Sequence, residues 1–173
     1  MTREEIENIL PHRGEMLLLD EAELIDGVSR GTYRVRGDEW FLRGHFPGNP
    51  VVPGVILCEI LAQSACALIA GAEAADDGFD GDIASVGKAA GDETSGAEAA
   101  DDETSGAGTL RATYYTGIDK ARFRAPVRPG DTVTTECELT GAKRPFYFAR
   151  GSVKVGGKLC LSAEFSFAVI DDG

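Results

Sequence analysis

Residues 55–70, VILCEILAQSACALIA, constrain the fold of this chain more than any other stretch. A helix over Val55–Ala70 is apolar nearly all round, and such a helix is buried on every side. Sixteen residues with Glu59 among them fall short of the ~20 apolar residues that cross a bilayer, so a core helix is expected and a membrane span is not. Something long and apolar must then wrap it. The C-terminal part of the chain supplies that surface. Val133, Thr135, Cys137 and Leu139 alternate with Thr134, Glu136 and Glu138, the period of a half-buried strand. Phe146–Val155 and Lys158–Val169 flank Gly156-Gly157, a two-residue hairpin signal. Leu159, Leu161, Ala163, Phe165, Phe167 and Val169 give the last strand one apolar face. The expected fold is α+β: a curved antiparallel sheet gripping a central helix. A single sheet of this kind leaves an edge open, which points to dimerisation.

The N-terminal block opens on a capping box, Thr2-x-x-Glu5, before a short helix that Pro11 ends. Met16–Ile25 and Gly31–Arg36 read as strands. Nothing at the N-terminus has the basic-then-apolar pattern of a signal peptide, so a cytoplasmic location is expected. Between the blocks, residues 71–109 are built almost wholly from Ala, Gly, Asp, Glu, Ser and Thr. Within them Ala89–Glu98 and Ala99–Gly108 match at 8 of 10 positions. That composition buries too little apolar surface to offset its ordering entropy, so it reads as a disordered insertion in a single domain spanning 1–173.

The net charge is -12, which argues against nucleic acid as a partner. Eleven acidic groups and one basic group lie in residues 71–109, and the stretch that follows is basic. The four cysteines, Cys58, Cys66, Cys137 and Cys160, have no C-x-x-C spacing and read as reduced core thiols. With two histidines in the chain, no metal site is expected, nor any other cofactor.

Two features carry chemistry. The loop Gly44-His45-Phe46-Pro47-Gly48-Asn49-Pro50-Val51-Val52-Pro53-Gly54 leads straight into the central helix. Its prolines and glycines fix the backbone, deliver His45 in a rigid setting, and end at a helix N-terminus able to accept a developing oxyanion. Alternatively His45 merely caps a turn. Glu59 is the only charged residue between Val51 and Ala72. Burial raises a carboxyl pKa, as a general acid near neutrality requires; the alternative is an ion pair with Arg122, Arg124 or Arg128. Gln63, one turn on, shares its face and can orient Glu59 or bind a polar group of a substrate. A base, an oxyanion-binding helix end and an acid together suit β-elimination of water from a 3-hydroxyacyl group. Cys58 and His12 are read as structural, His12 at the end of the first helix.

At these residues the chain resembles the FabZ-type 3-hydroxyacyl-acyl-carrier-protein dehydratases of type II fatty acid synthesis, which have a hot-dog fold. The likeness lies in Ile9-Leu10-Pro11-His12-Arg13 with Leu17-Leu18-Leu19-Asp20, in Gly44–Gly54 with Glu59-Ile60-Leu61-Ala62-Gln63, in Gly117–Arg124 and in Pro129-Gly130-Asp131. It implies His45 as base and Glu59 as general acid, brought together across the interface of a double hot-dog dimer. It implies that Gly54 N–H binds the thioester oxygen and that Phe46, Val55 and Gln63 contact substrate. Trimers of dimers also occur in the family. The expected substrate is a phosphopantetheine-linked 3-hydroxyacyl-acyl carrier protein, docked on Lys120, Arg122, Arg124, Arg128, Lys143 and Arg144. Those cations alternatively solvate strand ends, and the acidic insertion either competes for them or only aids solubility. Competing readings are a hot-dog thioesterase, a hydratase of coenzyme A thioesters and a non-catalytic acyl-binding subunit.

Overall fold

The computed structural model describes residues 1–74 and 111–171. The acidic repeat and the insertion it belongs to lie outside the described residues, except that the central helix takes in their first four positions. Helix α1 (Arg3–Glu7) is capped as its sequence dictates: Glu5 N–H donates to Thr2 Oγ1, and the Glu5 carboxylate accepts Thr2 N–H at 2.7 Å. Strands β1 (Glu21–Ile25) and β2 (Val28–Arg34) form a hairpin through Asp26-Gly27, both at positive φ. The central helix α2 runs Gly54–Ala74, and β3 (Arg111–Phe123), β4 (Thr132–Lys143), β5 (Phe146–Val155) and β6 (Lys158–Asp171) follow. All six strands form one antiparallel sheet in the order β1-β2-β4-β5-β6-β3.

The sheet curls around α2. Ile60, Leu61 and Ala65 of the helix are buried against Val133, Val153, Leu161 and Phe165 of the strands. Close approach depends on small residues. A Cβ on Gly31 would lie 2.9 Å from each of Leu19 Cδ2, Ser64 Oγ and Thr135 Oγ1, so only glycine lets β2 meet the helix there. Ser64, Thr135 and Ser29 pair with one another and with the Gly31 backbone, which keeps this polar seam satisfied inside the core.

One expected strand is much shorter. Met16–Ile25 does not run as a ladder; β1 starts only at Glu21. The Arg3 guanidinium takes the carbonyls of Leu19 (3.0 Å), Gly14 (3.1 Å) and Leu17 (3.2 Å), and Leu18 N–H goes to Gln63 Oε1 (2.8 Å). Residues 14–19 thus form a strap across α2, and buried Leu17, Leu18 and Leu19 anchor it. The two sheet edges differ. Edge β1 meets the N-terminus through the Thr2–Glu21 bridge, while β3 pairs with β6 alone and exposes Tyr114, Ile118 and Phe123. Among the described residues no helix is long and apolar enough to cross a membrane. All four cysteines are reduced and buried, as expected.

Candidate active site

His45 sits in the loop before α2, and that loop is tied down along its length. Its N–H donates to the Leu42 carbonyl (3.2 Å), Val51 N–H donates to the His45 carbonyl (3.1 Å), and Val52 N–H reaches the Val127 carbonyl (2.8 Å). The Arg128 side chain holds Asn49 Oδ1 at 2.5 Å. His45 Nδ1 lies 3.0 Å from the Val51 carbonyl oxygen. A carbonyl accepts only from N–H, so this contact assigns the proton of the neutral ring to Nδ1 and leaves the lone pair on Nε2. That is the tautomer a base needs.

Gly54 opens α2, and the N–H groups of Gly54 and Val55 have no acceptor within the helix. A Cβ on Gly54 would fall 2.7 Å from Phe123 Cε1, so the ring can lie over the helix end only because residue 54 has no side chain. An open cleft of ≈ 640 Å³ joins His45, Gly54, Val55, Leu57, Phe123 and Arg124. Val55 is 71% exposed, and Phe46 and Phe123 are 56% exposed. Large apolar side chains bare around a histidine mark a surface that another molecule covers.

Glu59 stands elsewhere. It lines a separate cavity of ≈ 50 Å³ with His12, Gln63, Cys66, Thr113, Tyr115 and Phe167, and the two sites share no residue. Within one subunit His45 and Glu59 are therefore apart. Gln63 Nε2 donates to Glu59 Oε1 at 2.8 Å and to the Met16 carbonyl at 2.8 Å, while its Oε1 accepts Leu18 N–H. Every polar atom of this buried amide is used by the protein. Gln63 therefore orients Glu59, and none of its hydrogens is left for a substrate.

Three expectations change here. His12 is no simple helix end: its Nε2 lies 3.2 Å from Glu59 Oε1. Sequence reading missed this neighbour because 47 positions separate the two residues. The arginines weighed as partners for Glu59 are replaced by His12 and Gln63. The sign of the pKa shift is also reversed. Burial pushes the Glu59 carboxyl up, but the donors beside it, His12 Nε2–H and Gln63 Nε2–H, outweigh burial and hold it below its ordinary value. Burial pushes Cys58 and Tyr115 up, and Cys66 up to about 12, so none of these presents an ionised nucleophile near neutrality.

The expected basic dock divides. Lys120, Arg122 and Arg124 line a charged cleft of ≈ 760 Å³ on the outer face of the sheet with Arg30 and Arg150. Lys120 is paired with Glu164 (2.8 Å) and Arg150 with Glu138 (2.5 Å). Arg124 borders both this cleft and the one at His45, so the two are neighbours. Lys143 and Arg144 do not belong to it. Lys143 is opposite Phe146, which in turn aligns through Ala168 with Tyr114; Arg122 is eight residues further along β3. At ~3.3 Å per residue that is a separation on the order of 25 Å. Arg128 is engaged with Asn49.

The FabA-like domain family matches this chain over residues 10–96 and 95–164. The 3-hydroxyacyl-[acyl-carrier-protein] dehydratase FabZ of Macrococcus caseolyticus is 35% identical over 170 residues, covering 97% of this chain and 94% of its own. The protein of the same name from Enterococcus faecalis is 36% identical over 172 residues, with 98% of each chain covered. Among solved structures, the dehydratase heterocomplex ApeI:P from Xenorhabdus doucetiae superposes with a TM-score of 0.68 at 13% identity, over 96% of this chain and 91% of that one. Conserved protein PA5202 from Pseudomonas aeruginosa gives a TM-score of 0.58 at 18% identity, over 95% and 98%. At such identities these two likenesses bear on the fold, which is the hot-dog fold.

Proposed function

This chain belongs to the FabA-like family and is a 3-hydroxyacyl-acyl-carrier-protein dehydratase, a hydro-lyase of fatty acid biosynthesis; we propose that His45 is its base and that Glu59 of a second subunit is its acid. His45 Nε2 removes a proton from C2 of the acyl group. The electron pair moves toward the thioester oxygen, where Gly54 N–H and the positive end of α2 stabilise it. The C3–O bond then breaks, and Glu59 protonates the departing hydroxyl, giving water and the trans-2-enoyl thioester. The hydrogen bond that frees Nε2 of His45 is the observation that carries this reading.

Dehydration begins with Glu59 protonated, whereas in the isolated subunit its hydrogen bonds favour the carboxylate. A second subunit and an acyl chain over the cavity add desolvation, which acts in the required direction. Edge strand β3, with Tyr114, Ile118 and Phe123 bare, supports edge-to-edge pairing of two copies into a double hot-dog dimer. Trimers of dimers are the further step the family resemblance supports, and sedimentation separates the two states. Phe46, Val55 and Phe123 flank the path of the acyl thioester. The cleft at Lys120, Arg122 and Arg124 is the dock for acyl carrier protein, and the His45 cleft that adjoins it at Arg124 receives the phosphopantetheine arm. The reaction takes place in the cytoplasm and needs no cofactor.

Mixed dimers test the shared site. His45→Ala and Glu59→Gln each lower the hydration of crotonyl-acyl carrier protein by ~10²-fold or more. Refolded together, the two inactive variants regain about a quarter of wild-type activity, since half the dimers are mixed and each mixed dimer holds one intact site. No recovery on mixing would place the two residues in one subunit's site or outside the chemistry.

A further inference from the structure

The two oxygens of Glu59 have unlike surroundings. Oε1 accepts a hydrogen bond from Gln63 (2.8 Å) and lies 3.2 Å from His12 Nε2. Among the described residues no hydrogen bond or ion pair reaches Oε2. Gln63 cannot reverse its amide, because Leu18 N–H requires the oxygen and the Met16 carbonyl requires the nitrogen. His12 is held as firmly. Leu10 anchors the turn in the core, and the Arg13 guanidinium gathers the carbonyls of Leu10 (2.5 Å), His12 (2.7 Å) and Glu7 (2.7 Å).

The proton on His12 follows from its other nitrogen. Nδ1 is buried with no hydrogen-bond partner. A buried N–H without an acceptor is rarer and costlier than a buried lone pair without a donor. The neutral ring therefore keeps its proton on Nε2, which lies 3.2 Å from Glu59 Oε1. With Gln63, that sets two N–H groups beside Oε1 and none beside Oε2.

We propose that His12 is a positioning residue of the dehydration: together with Gln63 it sets N–H groups beside Oε1 of Glu59, so that the transferable proton rides on Oε2, the oxygen left open to a substrate. This rests on the reading of Glu59 as the general acid. The other titratable groups facing Glu59 are Cys58 and Cys66 of α2 and Tyr115 of β3, and burial keeps all three protonated. Donation from His12 and Gln63 is then what favours the carboxylate. An acid with one blocked oxygen delivers its proton along a single direction, where a freely protonating carboxyl would divide its population between two.

The test is the pH dependence of kcat and KM for dehydration in His12→Leu, His12→Gln and Glu59→Gln. Leucine keeps the cavity covered and removes the donor; the glutamine amide nitrogen reaches the place of Nε2. His12→Leu should lower kcat about tenfold or more with KM little changed. Its alkaline limb should move to higher pH: the acid works protonated, activity falls as pH rises through its pKa, and losing a donor to the carboxylate raises that pKa. His12→Gln should recover both the rate and the limb. Wild-type kcat and limb in His12→Leu, or a His12→Gln no better than the leucine variant, would overturn the positioning role while Glu59→Gln stays inactive. Full rate in Glu59→Gln would overturn the acid assignment and this proposal with it.

Discussion

Replacing Gln63 by methionine isolates what one amide contributes to both stability and chemistry. The side chain is 2% exposed and the two residues are similar in volume, so packing changes little. Three hydrogen bonds disappear. Leu18 N–H, in a residue that is 0% exposed, loses its acceptor and cannot reach water, at about 1–3 kcal/mol. The Met16 carbonyl belongs to an exposed residue and can be hydrated, so its loss adds little. Glu59 loses a donor to a charged group, about 1.5–3 kcal/mol while it is ionised. The variant should therefore be less stable than wild type by roughly 2.5–6 kcal/mol at neutral pH. The deficit is itself pH-dependent. A carboxyl whose folded pKa is lowered stabilises the fold above its unfolded value, and that contribution fades as pH falls through the folded pKa. Below it, only the Leu18 part remains. Urea unfolding at several pH values, at one fixed subunit concentration because association adds to apparent stability, measures this directly. A deficit that is flat from neutral to acid pH, or below about 0.5 kcal/mol throughout, would refute the hydrogen-bond reasoning.

Two further outcomes follow from the geometry of the cleft. Gly54→Ala drives a methyl to 2.7 Å from the Phe123 ring and should lower kcat at least tenfold, whereas Gly54→Ala with Phe123→Ala should recover part of it; equal rates in the single and double variants would separate the ring from the helix end. Arg122→Glu with Arg124→Glu should raise KM for acyl carrier protein substrates, more at low salt than at high, and leave a short pantetheine thioester unaffected, while Lys143→Glu, about 25 Å away, should change neither.

Much of the fold was legible locally. The capping box at Thr2, the hairpin at Gly156-Gly157 and the alternation from Val133 to Leu139 depend on neighbours within a few residues, and all three form as the sequence reads. The nearly all-round apolar helix had to be wrapped, and the strand-patterned C-terminal part of the chain supplied the sheet that wraps it. The loop that carries His45 was readable too, because proline and glycine restrict the backbone wherever they fall.

Contacts between distant segments were not readable. Arg3 takes the carbonyls of Leu17 and Leu19, which turns an apparent strand into a strap. His12 reaches Glu59 across 47 positions, and that contact, with Gln63, reverses the direction in which burial alone would move the carboxyl. Strand register sets Lys143 and Arg144 far from Arg122, although all three belong to the same basic stretch. Periodicity and composition specify which face of an element is apolar, and hence what must be buried. Which polar groups then meet inside the fold depends on how the elements align, and only the tertiary structure determines that.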